Sequence, residues 1–323
     1  MEPALPVIAA EIEAAAARIA PFVHRTPLVS SAALDALTGC HLLLKAENLQ
    51  KVGAFKARGA HNAVFALSDA EAAGGVVTHS SGNHAAAVAL AASNRGTTAH
   101  VVMPSNAPKV KKDAVAGYGA DITFCEPTLI AREVTVAEIQ ARTGAVLVHP
   151  YDDPLVIAGQ GTTGSEILDQ LDGIGQGPPD AVVVPVGGGG LLSGIAVAVK
   201  DRYPDCMIIG AEPAGADDAH RSFNQGTLVA QTSPDTIADG LLTSLGKRNF
   251  AIISRLVDDI VLVDEAGIIE AMELIWTRTK LLVEPSGAVG VAAVLSHRGR
   301  FANRRVVTVL TGGNVDLRNL PWS

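Results

Sequence analysis

Ala181-Val-Val-Val-Pro-Val-Gly-Gly-Gly-Gly-Leu191 is the stretch on which the fold turns. Ala181 to Val186 is an unbroken apolar run rich in β-branched residues, the mark of a strand buried in a parallel sheet. Four glycines follow at 187–190, and a helical pattern then runs from Leu191 to Lys200. Glycine costs stability wherever its backbone freedom goes unused, so four in a row imply a close approach to the main chain. Free N–H groups at a helix start bind anions, phosphate above all. The spacing is not that of a P-loop, and no clean Gly-x-Gly-x-x-Gly is present. Glu212 after the next strand nevertheless resembles a ribose-binding acid, so a dinucleotide site stays open at this point.

Further strands flank this unit. Cys206 to Ala211 runs into Glu212, and Arg305 to Leu310 runs into Thr311-Gly-Gly-Asn314. Helices are expected over Glu265 to Lys280 and Ser286 to Ser296, and Gly159-Gln-Gly-Thr-Thr-Gly164 is expected to open a helix running to Gln170. Nearer the N-terminus, Val7 to Ile19 reads as an amphipathic helix. Ser30 or Ser31 can cap a short helix over Ala32 to Leu37, and His41 to Lys45 reads as a strand. Between these halves, strands at Gly75–Thr78, Ala99–Met103, Ala120–Phe124 and Ala145–His149 alternate with helices over Ala85–Asn94, from near Pro108, and over Ile130–Thr143. Right-handed crossovers predict a small parallel sheet from such a βαβαβαβ unit. Lys109, Lys111 and Lys112 read as a solvated face of the middle helix.

With 323 residues the chain is too long for one typical domain, and its 48% hydrophobic residues suffice for a sizeable core. The expected class is α/β, with two doubly wound, mostly parallel sheets: residues 1–67 and 151–323 as a discontinuous large domain, 68–150 as a small one. A net charge of -8 argues against a nucleic-acid or anionic-membrane partner. Cys40, Cys125 and Cys206 are odd in number and fit no metal spacing, so they read as reduced thiols in a cytosol. No secretory leader and no membrane span are visible, and a cytoplasmic location is expected.

Two further stretches carry chemistry. In Gly53-Ala-Phe-Lys-Ala-Arg-Gly59 a turn glycine precedes a helical pattern from Phe55 to Leu67, which puts Lys56 in the first turn. A helix N-terminus disfavours a cation by about 0.3–1 kcal/mol. That field, with desolvation, favours a neutral, nucleophilic amine, so Lys56 is read as a Schiff-base lysine. In His79-Ser-Ser-Gly-Asn-His84, a strand delivers the chain through a polar turn into an Ala-rich helix. Ser80, Ser81, Asn83 and His84 supply more donors than a helix cap needs, and a carboxylate is the expected guest.

Together these stretches resemble the fold-type II pyridoxal phosphate (PLP) enzymes, the tryptophan synthase β-like fold, and within them the serine/threonine dehydratase and serine racemase family. The matching segments are 53–59, 79–84, Pro185 to Gly190, Ala211-Glu-Pro213, Ala238-Asp-Gly240, Glu284-Pro-Ser286 and Thr311 to Asn314, in the family's order along nearly the whole chain. The resemblance implies that Lys56 holds PLP, with Phe55 near its ring and Asn83 on the ring hydroxyl. It places the phosphate on the backbone of Gly187, Gly188, Gly189, Gly190 and Leu191. Thr311 matches the position facing the pyridine nitrogen, where the family usually carries serine or cysteine. Ser80, Ser81 and His84 would hold the substrate α-carboxylate. Lys56 would remove the Cα proton, and Ser81 on the opposite face could return one and so racemise. Glu212, Asp218 and the Ala216 carbonyl match a divalent-cation site for Mg²⁺, Ca²⁺ or Mn²⁺. Arg132 matches an arginine that reaches a second carboxylate in dicarboxylate-reactive members, and the closing Asn314 to Trp322 resembles the hydroxyaspartate dehydratases. The implied reaction is dehydration and deamination of 3-hydroxyaspartate, serine or threonine by a homodimer. Serine racemisation is the alternative within the family. A nucleotide-dependent oxidoreductase and a non-catalytic amino-acid sensor are the alternatives outside it.

Overall fold

The computed structural model describes residues 4–80, 82–107 and 109–322. Ser81 and Pro108 lie outside the described residues, and so does the role expected of Ser81.

Among the described residues ten strands form two sheets. They are β1 (Leu28–Ser30), β2 (His41–Lys45), β3 (Val76–His79), β4 (Ala99–Pro104), β5 (Asp121–Cys125), β6 (Val146–Leu147), β7 (Ala181–Pro185), β8 (Met207–Pro213), β9 (Asp259–Val263) and β10 (Arg305–Val309). The larger sheet has the order β1-β2-β10-β7-β8-β9, and the smaller β5-β4-β3-β6. The β1–β2 pair is antiparallel; the other pairings among the described residues are parallel. The α/β class and the two parallel-rich sheets expected from the sequence are therefore present. In β7, Ala181 to Val184 are fully inaccessible, as an uninterrupted apolar run requires. Apolar side chains of β7, β8 and β10 pack on both faces of the larger sheet.

The helix Lys56–Ala66 lies between the helix Asn83–Arg95 of the small sheet and the long helix Pro154–Gly173. Arg58, in its first turn, is completely buried. It is held by Glu47 (2.8 Å) and Glu166 (2.8 Å), and Lys45 joins Glu166 at 2.8 Å. This closed network of charges anchors the start of the helix that carries Lys56.

The structure corrects several boundaries. Gly159 to Gly164 does not open a helix; it lies inside Pro154–Gly173, which Asp153 caps by accepting from Leu155 and Val156 N–H. Those glycines serve close packing instead. A Cβ on Gly159 would stand 2.6 Å from the Gly59 Cα, and one on Gly161 would stand 2.9 Å from the Gly194 carbonyl. The strand expected over 145–149 shrinks to Val146–Leu147. The helices Asp218–Gln225 and Lys247–Leu256 and strand β9 are additional to those read from the sequence. Ser31, not Ser30, caps Ala32–Thr38. The lysine run is not all solvated face either: Lys111 leaves it to pair with Asp239, in the segment between β8 and β9. Among the described residues Cys40 and Cys206 are buried free thiols, and Cys125 is a free thiol that is partly exposed. Among the described residues no helix is long and apolar enough to cross a membrane.

Candidate active site

The carboxyl ends of β7 and β10 open onto a cavity of about 740 Å³ that the ends of β3 and β6 close from the other side. This is the usual ligand crevice of open parallel sheets. Lys56, Asn83, Gly187 to Leu191 and Thr311 all line it, so segments widely separated along the chain meet there.

Lys56 is the first residue of its helix, as expected. The turn before it is strained: Val52, a β-branched residue, sits at φ 55, and Gly53 supplies φ 69. Lys56 Nζ donates to the Pro150 carbonyl at 2.8 Å and has no carboxylate partner among the described residues. Burial brings its amine down to about 8, within reach of the neutral form near physiological pH. Phe55 has its ring centroid 5.1 Å from Nζ and donates its N–H to the Thr311 carbonyl at 3.1 Å. The lysine turn is thereby tied to the end of β10.

Beyond β7, Gly189 takes φ 92 and the helix starts at Gly190. Among the described residues, no protein acceptor is found for the backbone N–H groups of Gly187, Gly188, Gly189, Gly190 and Leu191. All five residues are buried. Buried N–H groups without partners are rare in folded proteins, and here they gather at a helix N-terminus facing a cavity. They fit a phosphate. The glycines are also needed on their other side: a Cβ on Gly188 would lie 2.2 Å from the Tyr151 Cγ, and one on Gly187 would lie 3.0 Å from the Leu241 Cα. Tyr151 is a functional residue that the sequence reading missed. An aromatic side chain in a chain with 4% aromatics, just before an Asp-Pro helix start, is the signal that could have found it.

Around the lysine the imidazoles are neutral. His149 Nδ1 accepts from the N–H groups of Tyr151 (3.3 Å) and Asp152 (2.9 Å), and burial holds the ring down to about 4. His79 is lowered by burial and then by the Arg132 charge. His84 is held well below the usual histidine range, first by burial and then by Lys56. Its Nε2 lies 3.1 Å from the Val148 carbonyl, which can only accept, so Nε2 carries the proton and the buried Nδ1 is left as an unpartnered acceptor. Ser80 Oγ accepts from Gly82 N–H at 3.3 Å, which leaves its own proton free to donate.

Thr311, 4% exposed, brings a neutral hydroxyl to the cavity wall. Arg132 also lines the cavity, and its buried Nε has no hydrogen-bond partner among the described residues. Glu212, Ala216 and Asp218 stand apart from the cavity. Glu212 and Asp218 are fully buried beside each other. The Glu212 oxygens accept from Ala219 (2.9 Å) and His220 (2.7 Å) N–H, and Asp218 Oδ2 from Leu245 N–H (2.7 Å), while Asp218 Oδ1 has no partner. Burial pushes the Glu212 carboxyl up to about 9. No group of three or more histidine, cysteine or acidic side chains placed to hold a metal ion is found among the described residues.

Known proteins resemble this chain along nearly its whole length. Residues 19–312 match the family model described as pyridoxal-phosphate dependent enzyme. The chain is 49% identical over 310 residues to the β-hydroxyaspartate dehydratase of Paracoccus denitrificans (strain Pd 1222), covering 96% of this chain and 97% of that protein. It is 47% identical over 311 residues to the serine racemase of Oryza sativa subsp. indica, covering 95% of this chain and 90% of that one. Among solved structures, the threonine deaminase of T.th. superposes with a TM-score of 0.92 at 48% identity, over 96% of this chain and 99% of that chain. Lys56, its amine lowered by burial to about 8, shares the cavity with five N–H groups that have no partner among the described residues, and the chain belongs to the pyridoxal-phosphate dependent enzyme family.

Proposed function

We propose that this protein is an ammonia-lyase that dehydrates and deaminates a β-hydroxy-α-amino acid carrying a second carboxylate, of the 3-hydroxyaspartate type, to a keto acid and ammonia. The observation that carries the substrate class is Arg132: a guanidinium at the cavity wall with a buried Nε that no group among the described residues satisfies. An unpaired donor of this kind is costly unless a ligand completes it, and an arginine fork fits a carboxylate. The 49% identity to a β-hydroxyaspartate dehydratase supports the same class.

When bound, pyridoxal phosphate supplies an aldehyde for an amine and a conjugated ring that takes up the electron pair released at Cα. The rest falls to the chain. Gly187 to Leu191 would hold its phosphate through their free N–H groups, with Phe55 and Asn83 beside its ring. Lys56 would be the covalent anchor, and its amine, when free, would take the Cα proton. The β-hydroxyl would leave as water with the proton that Lys56 took from Cα, and a second water would hydrolyse the enamine to keto acid and ammonia. Thr311 would offer the pyridine nitrogen a hydroxyl and not a carboxylate, a neutral partner that would favour prompt loss of the β-group over transamination. Ser80 and, by its sequence position, Ser81 hold the α-carboxylate. The proton placement on His84 makes its Nδ1 an acceptor, suited to the substrate amine more than to a carboxylate.

The buried Asp218 Oδ1 and the two adjoining carboxylates support a divalent cation held by Glu212, Asp218 and the Ala216 carbonyl. The division into 1–67 plus 151–323 and 68–150, and a homodimeric state, belong to the same proposal. Serine racemisation is the second reading, supported by the likeness to the rice enzyme and to maize serine racemase, which superposes with a TM-score of 0.94 at 45% identity over 97% of this chain and 95% of that chain.

A substrate panel tests both. Arg132→Ala is expected to lower kcat/KM for 3-hydroxyaspartate by about 10- to 100-fold, the worth of a charge-assisted hydrogen bond. Threonine turnover should stay within about threefold. Equal losses for both substrates would remove Arg132 from substrate choice. Inversion of serine outpacing ammonia release would favour the racemase.

A further inference from the structure

Glu284 has no part in the chemistry above, yet it lines the same cavity, 6% exposed, at the mouth of the helix Pro285–Ser296. Its Oε1 accepts from Asn83 Nδ2 at 2.8 Å, and the Asn314 backbone N–H also donates to its carboxylate. The Asn83 amide is held from the other side as well. Asn314 Nδ2 donates to Asn83 Oδ1 at 2.8 Å and to the Val52 carbonyl at 2.7 Å. Gly312 leaves room for this packing: a Cβ there would lie 2.4 Å from Glu284 Oε1 and 3.1 Å from Asn83 Nδ2.

The consequence is directional. With a donor fixed on Oδ1 and an acceptor on Nδ2, the Asn83 amide cannot turn over without breaking both bonds. One Nδ2 hydrogen remains without a protein acceptor among the described residues, on a side chain that lines the cavity. We propose that Glu284 is a positioning residue: it locks the Asn83 amide so that the cofactor's ring oxygen meets an N–H and not a carbonyl, and its charge sets how much negative charge that oxygen carries. This rests on the assignment of Lys56 and Asn83 to the cofactor under the proposed function.

The charge is poised to change. Burial and then the facing Asp239 push the Glu284 carboxyl up to about 7, against the hydrogen bond from Asn83 and the charge of Lys111. Lys111 and Asp239 are paired with each other, so their fields partly cancel at Glu284. Below about pH 7 the carboxyl is neutral and places no charge of its own behind Asn83. Above it, a second anion stands behind Asn83 and negative charge on the ring oxygen is disfavoured.

The test is the visible absorption of the holoenzyme between pH 6 and 8.5, roughly one to two units either side of that value. Borohydride reduction and peptide mapping come first. Cofactor fixed elsewhere than on Lys56 overturns the underlying assignment; cofactor fixed on Lys56 leaves the Glu284 proposal to be judged alone. Wild type is expected to show a spectral step near pH 7. Glu284→Gln should abolish the step, hold the low-pH spectrum throughout, and keep cofactor affinity within about threefold. Asn314→Ala, which frees the amide from the other side, should keep the step but shift the whole spectrum and weaken the cofactor about tenfold. A purely structural role would lower the melting temperature and leave the step in place. A step that survives in Glu284→Gln overturns the proposal, and so does its absence in wild type.

Discussion

Tyr151 and Gly188 show how closely single residues fix this site. The ring covers the Gly188 Cα, so that even a methyl group there would stand 2.2 Å from the Tyr151 Cγ. Gly188→Ala must therefore move the ring or the glycine backbone, an overpacking cost of about 1–3 kcal/mol. We expect it to weaken cofactor binding by about 5- to 100-fold, read by fluorescence titration, and Tyr151→Ala in the same chain to recover much of that loss. Independent, additive losses would mean the two do not share a contact. At this scale the sequence was informative where chemistry needs one residue type: Lys56, Asn83 and the glycines all line the cavity. It was silent where the role depends on a partner distant in sequence. Nothing near Tyr151 in the chain points to Gly188, and nothing near Glu284 points to Asn83, 201 residues away.

Elements were legible when their pattern was periodic and misread when a residue type had two uses. β7 was recognised because an apolar β-branched run has few other meanings. Gly159 to Gly164 reads in sequence as a helix opening, whereas three-dimensional packing uses its glycines to bring helices into backbone contact. The helix Pro154–Gly173 rests on Lys56–Ala66 through Gly159 against Gly59, and on the helix Gly190–Arg202 through Gly161 against Gly194. Backbone atoms cannot swing aside as a side chain can. Gly159→Ala would put a Cβ 2.6 Å from the Gly59 Cα and 2.8 Å from the Arg58 carbonyl, and is expected to lower stability by about 1–3 kcal/mol. Chemical denaturation of the cofactor-free protein measures this. A change below about 0.5 kcal/mol, the usual range of an inconsequential surface substitution, would show that the helices part freely. Since the start of the Lys56 helix lies on this contact, the same variant should also reduce the rate at which borohydride traps the cofactor.

The whole molecule links the proposed cation site to the cofactor cradle through one loop. Asp218 Oδ2 accepts from Leu245 N–H at 2.7 Å, and the Leu245 side chain lies where a Cβ on Gly189 would be 2.7 Å from its Cδ1. Leu241 backs Gly187 in the same way. Glu212 and Asp218, both without exposure, repel each other unless a proton or a cation intervenes. A cation bound only by the folded state adds about 2.7 kcal/mol at 100 times its dissociation constant, and it would hold residues 241–245 against the glycine turn. Two measurements follow on the intact holoenzyme. Chelator should lower the melting temperature, and Mg²⁺, Ca²⁺ or Mn²⁺ should restore it. The same treatment should weaken the cofactor, because Leu245 is then freer to move away from Gly189. Asp218→Asn ought to be insensitive to chelator in both respects. If chelator changes neither melting nor cofactor affinity, the paired acids share a proton and no ion. If it changes melting alone, the cation braces β8 and its following helix without reaching the cradle, and the loop is not the link.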